Sequence, residues 1–328
     1  MKNMKPILIE SSENGLRFLL YNTVCQIYFP DPPKQWRQLN LDLFLEACHI
    51  QHMLSMYEET SELSQLNRSA QSGNAVGVSN ELFSLLSLVF EASNLSERIF
   101  DPTVGPLIRL WNFRQLPPKV PSDLQISQVL RHTGSQYIKL DPKHKTITFL
   151  KPHMELDPGA WGKGYALERC QSLIKKYGIS HAFLNFGSNL CILDNCPNGY
   201  AERWKIGIQK PWASRGILSG YLSIPPCTVS TSAGYDNFFW SEGQLYHHII
   251  DPRSGRPAVN SIISATVICS SPLYADILST IFFIGGEDAG KTAVNALQIK
   301  GYCGWLLIGY DGSIKLSQNL SPFFEKRV

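Results

Sequence analysis

From residue 181 to residue 270 the chain is cut into short extended segments by turn residues, and this constrains the fold more than any other feature. Segments 181–193, 204–209, 220–224, 246–250 and 262–270 are rich in β-branched and aromatic residues, and several of the turns between them are short. A parallel pair needs a crossover of a dozen or more residues, so these segments are expected to pair antiparallel. A further hairpin is expected where 137–140 and 146–149 alternate around Asp141-Pro142, and another where Asp311-Gly312 joins 305–308 to 313–316.

Helical periodicity interrupts this pattern irregularly. Leu39, Leu43, Ala47, Ile50 and Leu54 recur at three- and four-residue steps and predict a helix over 36–57. Ser79 is placed to cap a second helix that buries Leu82, Leu86, Val89 and Ala92, and Ser122 a third that ends near Arg131. After Gly164 a helix should run with Ala166, Cys170, Leu173 and Ile174 inward and stop at Gly178. Ser271-Pro272 opens another that reaches Gly285-Gly286, followed by a last helix over 287–297. Helices that do not alternate one-for-one with strands predict an α+β fold, with antiparallel β-sheets flanked by helices.

The 44% hydrophobic and 17% charged content is that of a globular chain with a large core, and no linker of distinct composition divides it. One compact unit over residues 1–328, with room for two lobes, is expected. The net charge of +3 arises from 30 basic and 27 acidic residues scattered along the chain, which offers no stripe for nucleic acid. The eight cysteines form no CxxC pair, and Cys191 and Cys196 flank a turn at Asp194-Asn195, so free thiols in a reducing compartment are expected. Near the start only Ile7-Leu8-Ile9 is apolar, too short for a signal peptide, and no uncharged stretch suits a lipid-spanning helix. The chain as written is expected to be cytoplasmic and without a membrane anchor, or exported only if a leader has been removed.

Four stretches carry polar and glycine residues where a packed core would be apolar. Asp157-Pro158-Gly159-Ala160-Trp161-Gly162-Lys163-Gly164-Tyr165 leads into a helix, and its glycines permit close backbone approach to a phosphate at the helix start. Alone, such a turn is more often a plain connector. Asp276 and Thr280 lie at i and i+4, one carboxylate and one hydroxyl on a single helical face, a pair of hard oxygens suited to Mg²⁺, or else a solvated Asp276 and a Thr280 hydroxyl returned to a carbonyl one turn back. His247 and His248 alternate on a strand that ends in Asp251-Pro252-Arg253-Ser254-Gly255, so one of them faces a site whichever side is buried; a merely structural histidine is the plainer alternative. Phe100-Asp101-Pro102-Thr103-Val104-Gly105-Pro106-Leu107 reads as an irregular loop with free amides. Upstream, Tyr57 precedes a polar turn and short helix, Ser61-Glu62-Leu63-Ser64-Gln65-Leu66-Asn67, and is either core or a stacking platform for a flat ring.

In their order, these stretches resemble the signature set of the ApbE-type FAD:protein FMN transferases. Residues 61–67 resemble the family's Ser-Glu-hydrophobic-Ser-x-Leu-Asn segment, 100–107 its Phe-Asp-x-Thr-Val-Gly-Pro loop, 157–165 its glycine turn, 248–257 its His-Ile-Ile-Asp-Pro strand end and 275–280 its Ala-Asp-x-x-x-Thr helix. Tyr21-Asn22-Thr23 stands where the family has Met-Gly-Thr, Thr231-Ser232-Ala233-Gly234-Tyr235 lacks the family's carboxylate, and Ser188 replaces a usual glycine.

The resemblance implies an ApbE-like, T-fold-related architecture and a Mg²⁺-dependent transfer of FMN from FAD to a Thr or Ser hydroxyl of an acceptor flavoprotein, releasing AMP. It implies that the Ala160 carbonyl, Asp276 and Thr280 hold Mg²⁺, and that Asp157 and Lys163 contact FAD. Tyr57 would stack on the isoalloxazine, with backbone around Phe100 and Asp101 lining the flavin site, and His248 would stand near the reacting phosphates. Two other readings share these residues: an FAD pyrophosphatase giving FMN and AMP, and a non-catalytic flavin-binding or delivery protein.

Overall fold

The computed structural model describes residues 6–20, 23–193, 204–299, 301 and 303–327. A nine-stranded sheet forms its spine. We label its strands in chain order: β1 Ile7–Ser12, β2 Gly15–Leu20, β3 Thr23–Tyr28, β4 Ala182–Phe186, β5 Asn189–Leu193, β6 Thr228–Ala233, β7 Ile262–Cys269, β8 Cys303–Gly309 and β9 Ile314–Leu316. Chain order is also spatial order, and every neighbouring pair is antiparallel. The predicted antiparallel α+β class is therefore observed, and the remaining elements are insertions between successive strands, except the C-terminal turn Ser321–Phe323 and strand Phe324–Lys326.

The helices are α1 Trp36–Met53, α2 Glu62–Ser69, α3 Asn80–Leu95, α4 Gly105–Trp111, α5 Asp123–Leu130, α6 Gly162–Lys176 and α7 Pro272–Ala296. Ser79 and Ser122 cap α3 and α5 through their hydroxyls, as their positions predict, the latter in a full capping box with Gln125. Helix α1 stops four residues short of the expected end, because the Ser55 hydroxyl accepts from the Tyr57 and Glu58 amides and turns the chain. Helix α6 begins at Gly162, earlier than expected, where the Gly162 amide bonds the Pro158 carbonyl at 2.7 Å. The two helices expected around Gly285-Gly286 are present, joined end to end within α7 and separated by a kink at Gly286, whose φ of 79° only glycine adopts readily.

Five elements were not expected. β1, β2 and β3 form the sheet's near edge, β6 is a Thr/Ser strand in its middle, and α4 starts inside the presumed loop, with Pro106 in its first turn. The predicted hairpin is present as Ile138–Asp141 paired with Thr146–Phe149. Segment 246–250 is divided between Gln244–His247 and Ile250–Asp251. The turn expected at Asp194-Asn195, with Cys196, lies outside the described residues.

Alternation along the strands sends side chains to two faces. Leu184, Ala265, Val267 and Leu307 join Leu43, Leu86, Leu167 and Leu278 of the helices in the main core. On the other face Val229, Ile268 and Leu306 pack against a three-stranded sheet of Trp204–Gln209, Leu218–Ile224 and Phe324–Lys326. β7 is buried along all of its length for this reason. A small third cluster joins Leu107, Trp111, Ile126 and Ile250, tying α4 and α5 to the strand end after His248. Among the described residues, no helix is long and apolar enough to cross a membrane.

Candidate active site

The glycine turn and the Asp276 helix meet. The Gly164 amide donates to Asp276 Oδ2 at 2.9 Å across 112 residues of sequence. A Cβ at Gly164 would lie 2.5 Å from the Pro272 carbonyl and 2.7 Å from Asp276 Cβ, so only glycine lets α6 approach α7 this closely. Asp276 is 5% exposed, and Ser230 on β6 reaches its other oxygen at 3.4 Å. Around it lies a net of hydroxyls: Ser279 is 2.9 Å from Ser232, and Thr280 Oγ1 is 3.2 Å from Ser232 and donates to the Asp276 carbonyl at 3.4 Å.

Among the described residues, the Asp276 carboxylate has an amide and a hydroxyl for partners and no basic side chain. A buried carboxylate without a counter-charge is costly, which makes the place suited to a cation. The Gly164 N–H goes to Asp276, and among the described residues no backbone amide is seen to donate to the Ala160 carbonyl four residues back. No group of three or more His, Cys, Asp or Glu side chains forms a metal cage among the described residues. The Asp276 carboxylate and Thr280 hydroxyl, beside the glycine turn that carries the Ala160 carbonyl, are hard oxygens of the kind that fits Mg²⁺, which keeps waters and takes substrate phosphates as further ligands.

The turn itself is held from three sides. Asp157 Oδ1 accepts from the Gly159 amide at 2.7 Å, and the Asp157 amide donates to the Pro102 carbonyl at 2.8 Å. Trp161, fully buried, donates its indole N–H to the Asp157 carbonyl at 2.9 Å. Burial pushes the Asp157 carboxyl above the ordinary carboxylate range, against the pull of the Gly159 amide. Asn67 clamps the preceding residue with two bonds, donating to the Leu156 carbonyl at 3.0 Å and accepting from its amide at 2.8 Å. Ser61 caps α2, and this explains the two polar ends of the 61–67 motif.

The neighbouring histidines part as strand alternation requires. His247 is buried; its Nδ1 accepts from the Ile249 amide at 3.3 Å, so its Nε2 carries the proton toward the Ala258 carbonyl at 3.1 Å. Both nitrogens are thus engaged, and the ring stands edge-on to Phe283. His248 is half-buried and donates Nδ1–H to the Asn237 carbonyl at 3.2 Å, which makes Nε2 the acceptor nitrogen of the neutral ring. Burial lowers the His248 imidazole to about 4, the Asn237 carbonyl opposes this and the Lys163 charge adds to it. Lys163, in the first turn of α6, is therefore in electrostatic reach of His248. Asp236 lies within the same field, its carboxyl raised by burial and lowered by Arg215 and Lys163, one residue beyond the segment that lacks the family's carboxylate.

Tyr57 is 57% exposed and lines a cleft of about 770 Å³ with Met56, Pro106, Arg109, Met154 and Glu155. Phe100 and Asp101 do not reach it with their side chains. Phe100 is buried, and the Asp101 carboxylate accepts from the Thr103 amide and hydroxyl at 2.9 and 2.6 Å and from the Ser135 amide at 2.9 Å. These two residues support the loop whose Pro102 carbonyl holds Asp157, and only their backbone is left for a ligand. Tyr21 and Asn22, at the Met-Gly-Thr position, lie outside the described residues. Sequence reasoning missed Ser230, Ser232 and Ser279 around Asp276 and the pair Arg109 and Glu155 in the cleft. The serines of β6 carried a signal, three hydroxyl residues in a row inside an uncharged stretch, whereas the ion pair spans 46 residues and had none.

Comparison with known proteins places these features in context. The family model described as ApbE family matches residues 21–303. The chain is 33% identical over 242 residues to an FAD:protein FMN transferase of Klebsiella pneumoniae, covering 74% of each. It is 30% identical to that of Escherichia coli strain K12, over 74% of this chain and 69% of the other. The crystal structure of the ApbE protein from Thermotoga maritima superposes with a TM-score of 0.83 at 28% identity, over 96% of this chain and 99% of that one. The flavin transferase ApbE of Vibrio cholerae gives 0.81 at 25%, over 96% and 100%.

Proposed function

The chain belongs to the ApbE family, and from that premise we propose that it is an FAD:protein FMN transferase that uses Mg²⁺. It moves FMN from FAD to a Thr or Ser hydroxyl of an acceptor flavoprotein in the cytoplasm and releases AMP, and residues 1–328 work as one unit. The observation that carries the reading is the Gly164–Asp276 contact, which sets a glycine turn suited to phosphate beside a buried carboxylate suited to a cation.

Asp276, Thr280 and the Ala160 carbonyl would hold the ion, which when bound supplies neutralisation of charge on the diphosphate oxygens. Tyr57 stacks on the isoalloxazine in its cleft, Lys163 draws the diphosphate by charge, and Asp157 orients the turn toward FAD. His248 accepts the acceptor hydroxyl's proton at Nε2, since its Nδ1 is committed to Asn237. The new bond joins the acceptor oxygen to the FMN phosphorus; the broken bond leaves the bridging oxygen with AMP. A half-buried imidazole held near a pKa of 4 is neutral at physiological pH and free to take that proton.

Incubation with FAD, Mg²⁺ and a candidate flavoprotein, followed by intact-mass measurement, tests the reading. A covalent FMN adduct with equimolar AMP is expected. Release of free FMN and AMP alone would make the protein a pyrophosphatase, and FAD bound but unconsumed would make it a delivery protein.

A further inference from the structure

The cleft beside Tyr57 contains a charged pair that the transfer chemistry leaves unused. Arg109, in the last turn of α4, offers Nε and one Nη to the two oxygens of Glu155 in a fork-on-fork pair. The Glu155 side chain is 16% exposed and the Arg109 side chain 54%. The pair is built on rigid backbone: the Gly105 amide donates to the Glu155 carbonyl at 3.2 Å, and Val104 bridges Glu155 in parallel. A Cβ at Gly105 would come within 2.7 Å of that carbonyl, so glycine is what presses the start of α4 against residue 155 and brings Arg109, one turn on, alongside. The Glu155 hydrogen bond raises the Arg109 guanidinium against the opposing effect of burial, and Tyr57 and Asp157 act in the raising direction, so both lie within electrostatic reach of the pair.

Valence counting shows what the pair still offers. Each carboxylate oxygen in a bidentate pair retains a second lone pair, and the guanidinium retains three of its five N–H groups. An acceptor and a donor therefore sit side by side on the cleft wall. The pyrimidinedione edge of a flavin presents the complement, an N3–H flanked by two carbonyl oxygens, while the rest of the ring is flat and suits Tyr57 and the two methionines.

We propose that the Arg109–Glu155 pair reads the pyrimidinedione edge of FAD, Glu155 accepting N3–H and Arg109 donating to the adjacent carbonyl oxygen. The inference rests on the FAD reading above and makes the pair a determinant of flavin specificity. Titration of the full chain with FAD and with N3-methyl-FAD, followed by flavin fluorescence, tests it. The methyl analogue should bind about tenfold or more weakly, the value of one lost hydrogen bond to a charged group. Glu155→Ala should bind both compounds alike, and Arg109→Met should weaken both while preserving the preference for FAD. Equal affinity of the unaltered protein for the two compounds overturns the proposal, and that comparison holds even if a variant does not fold. If FAD is neither bound nor consumed, the functional reading itself fails, which is a separate outcome.

Discussion

Gly164→Ala tests the contact on which the site depends. The added methyl would meet backbone and the root of Asp276, at 2.5 Å from the Pro272 carbonyl and 2.7 Å from Asp276 Cβ, so no side-chain rotation relieves it. Separating α6 from α7 costs about 1–3 kcal/mol of overpacking. The amide-to-carboxylate bond, now 2.9 Å, is lost as well, at about 1.5–3 kcal/mol. Alanine's better helix propensity returns about 1 kcal/mol. A net loss of about 1.5–5 kcal/mol is expected, which for a chain of 328 residues lowers the melting temperature by about 2–7 °C. Because Asp276 moves with α7, the Mg²⁺ concentration for half-maximal FAD turnover should also rise by about tenfold or more. Gly162→Ala is the control: its methyl would meet only side chains, Pro158 Cβ at 3.2 Å and Leu54 Cδ1 at 3.6 Å, and should cost under about 1 kcal/mol. Thermal unfolding and Mg²⁺ titrations of both variants decide the matter. If Gly164→Ala melts within a degree of the parent with the same Mg²⁺ dependence, the close approach is not what builds the site.

Asp276→Ala should reduce Mg²⁺-dependent FMN transfer by about 100-fold or more; transfer at the parent rate sinks the metal assignment. For His248, a value lowered to about 4 predicts that turnover stays level as pH falls through 6.5 and declines only toward 4, whereas an acid limb at 6.5 contradicts its burial. His247 is likewise lowered to about 4 by burial, below its unfolded value of about 6.5. Its stability contribution is therefore full above 6.5 and lost as pH falls toward 4, about 2 kcal/mol by pH 5, and urea unfolding at pH 7 and pH 5 should register it. Tyr57→Ala should weaken FAD binding by about tenfold without lowering the melting temperature, since the ring is 57% exposed, and Tyr57→Phe should bind nearly as the parent does; equal loss in both variants would point to the hydroxyl instead of the ring.

How much of this was legible depends on the range of the interaction. The Ser79 and Ser122 caps, the break at Gly286 and the opposite facing of His247 and His248 follow from rules that act within one or two turns of chain. β6 was missed because Thr228–Ala233 alternates hydroxyls, not apolar residues, and its inward face packs serines against Asp276. β1 was missed because an edge strand with Ile7, Leu8 and Ile9 half-exposed buries too little to impose a pattern. Asp101 stood in a motif with its backbone expected at the flavin, and the commitment of its carboxylate to Thr103 and Ser135, the latter 34 residues away, was not legible.

By itself the sequence determined the class of the fold, the caps and turns, and the ordered motifs that tie the chain to its family, because each is written in local spacing. Only the tertiary structure decided that Gly164 meets Asp276 across 112 residues, that Asn67 clamps Leu156 across 89, and that Arg109 pairs with Glu155 across 46. Periodicity reports that a face will be buried but not against what. The partner is selected by packing of whole elements, where one absent Cβ at Gly164 or Gly105 sets which backbones touch.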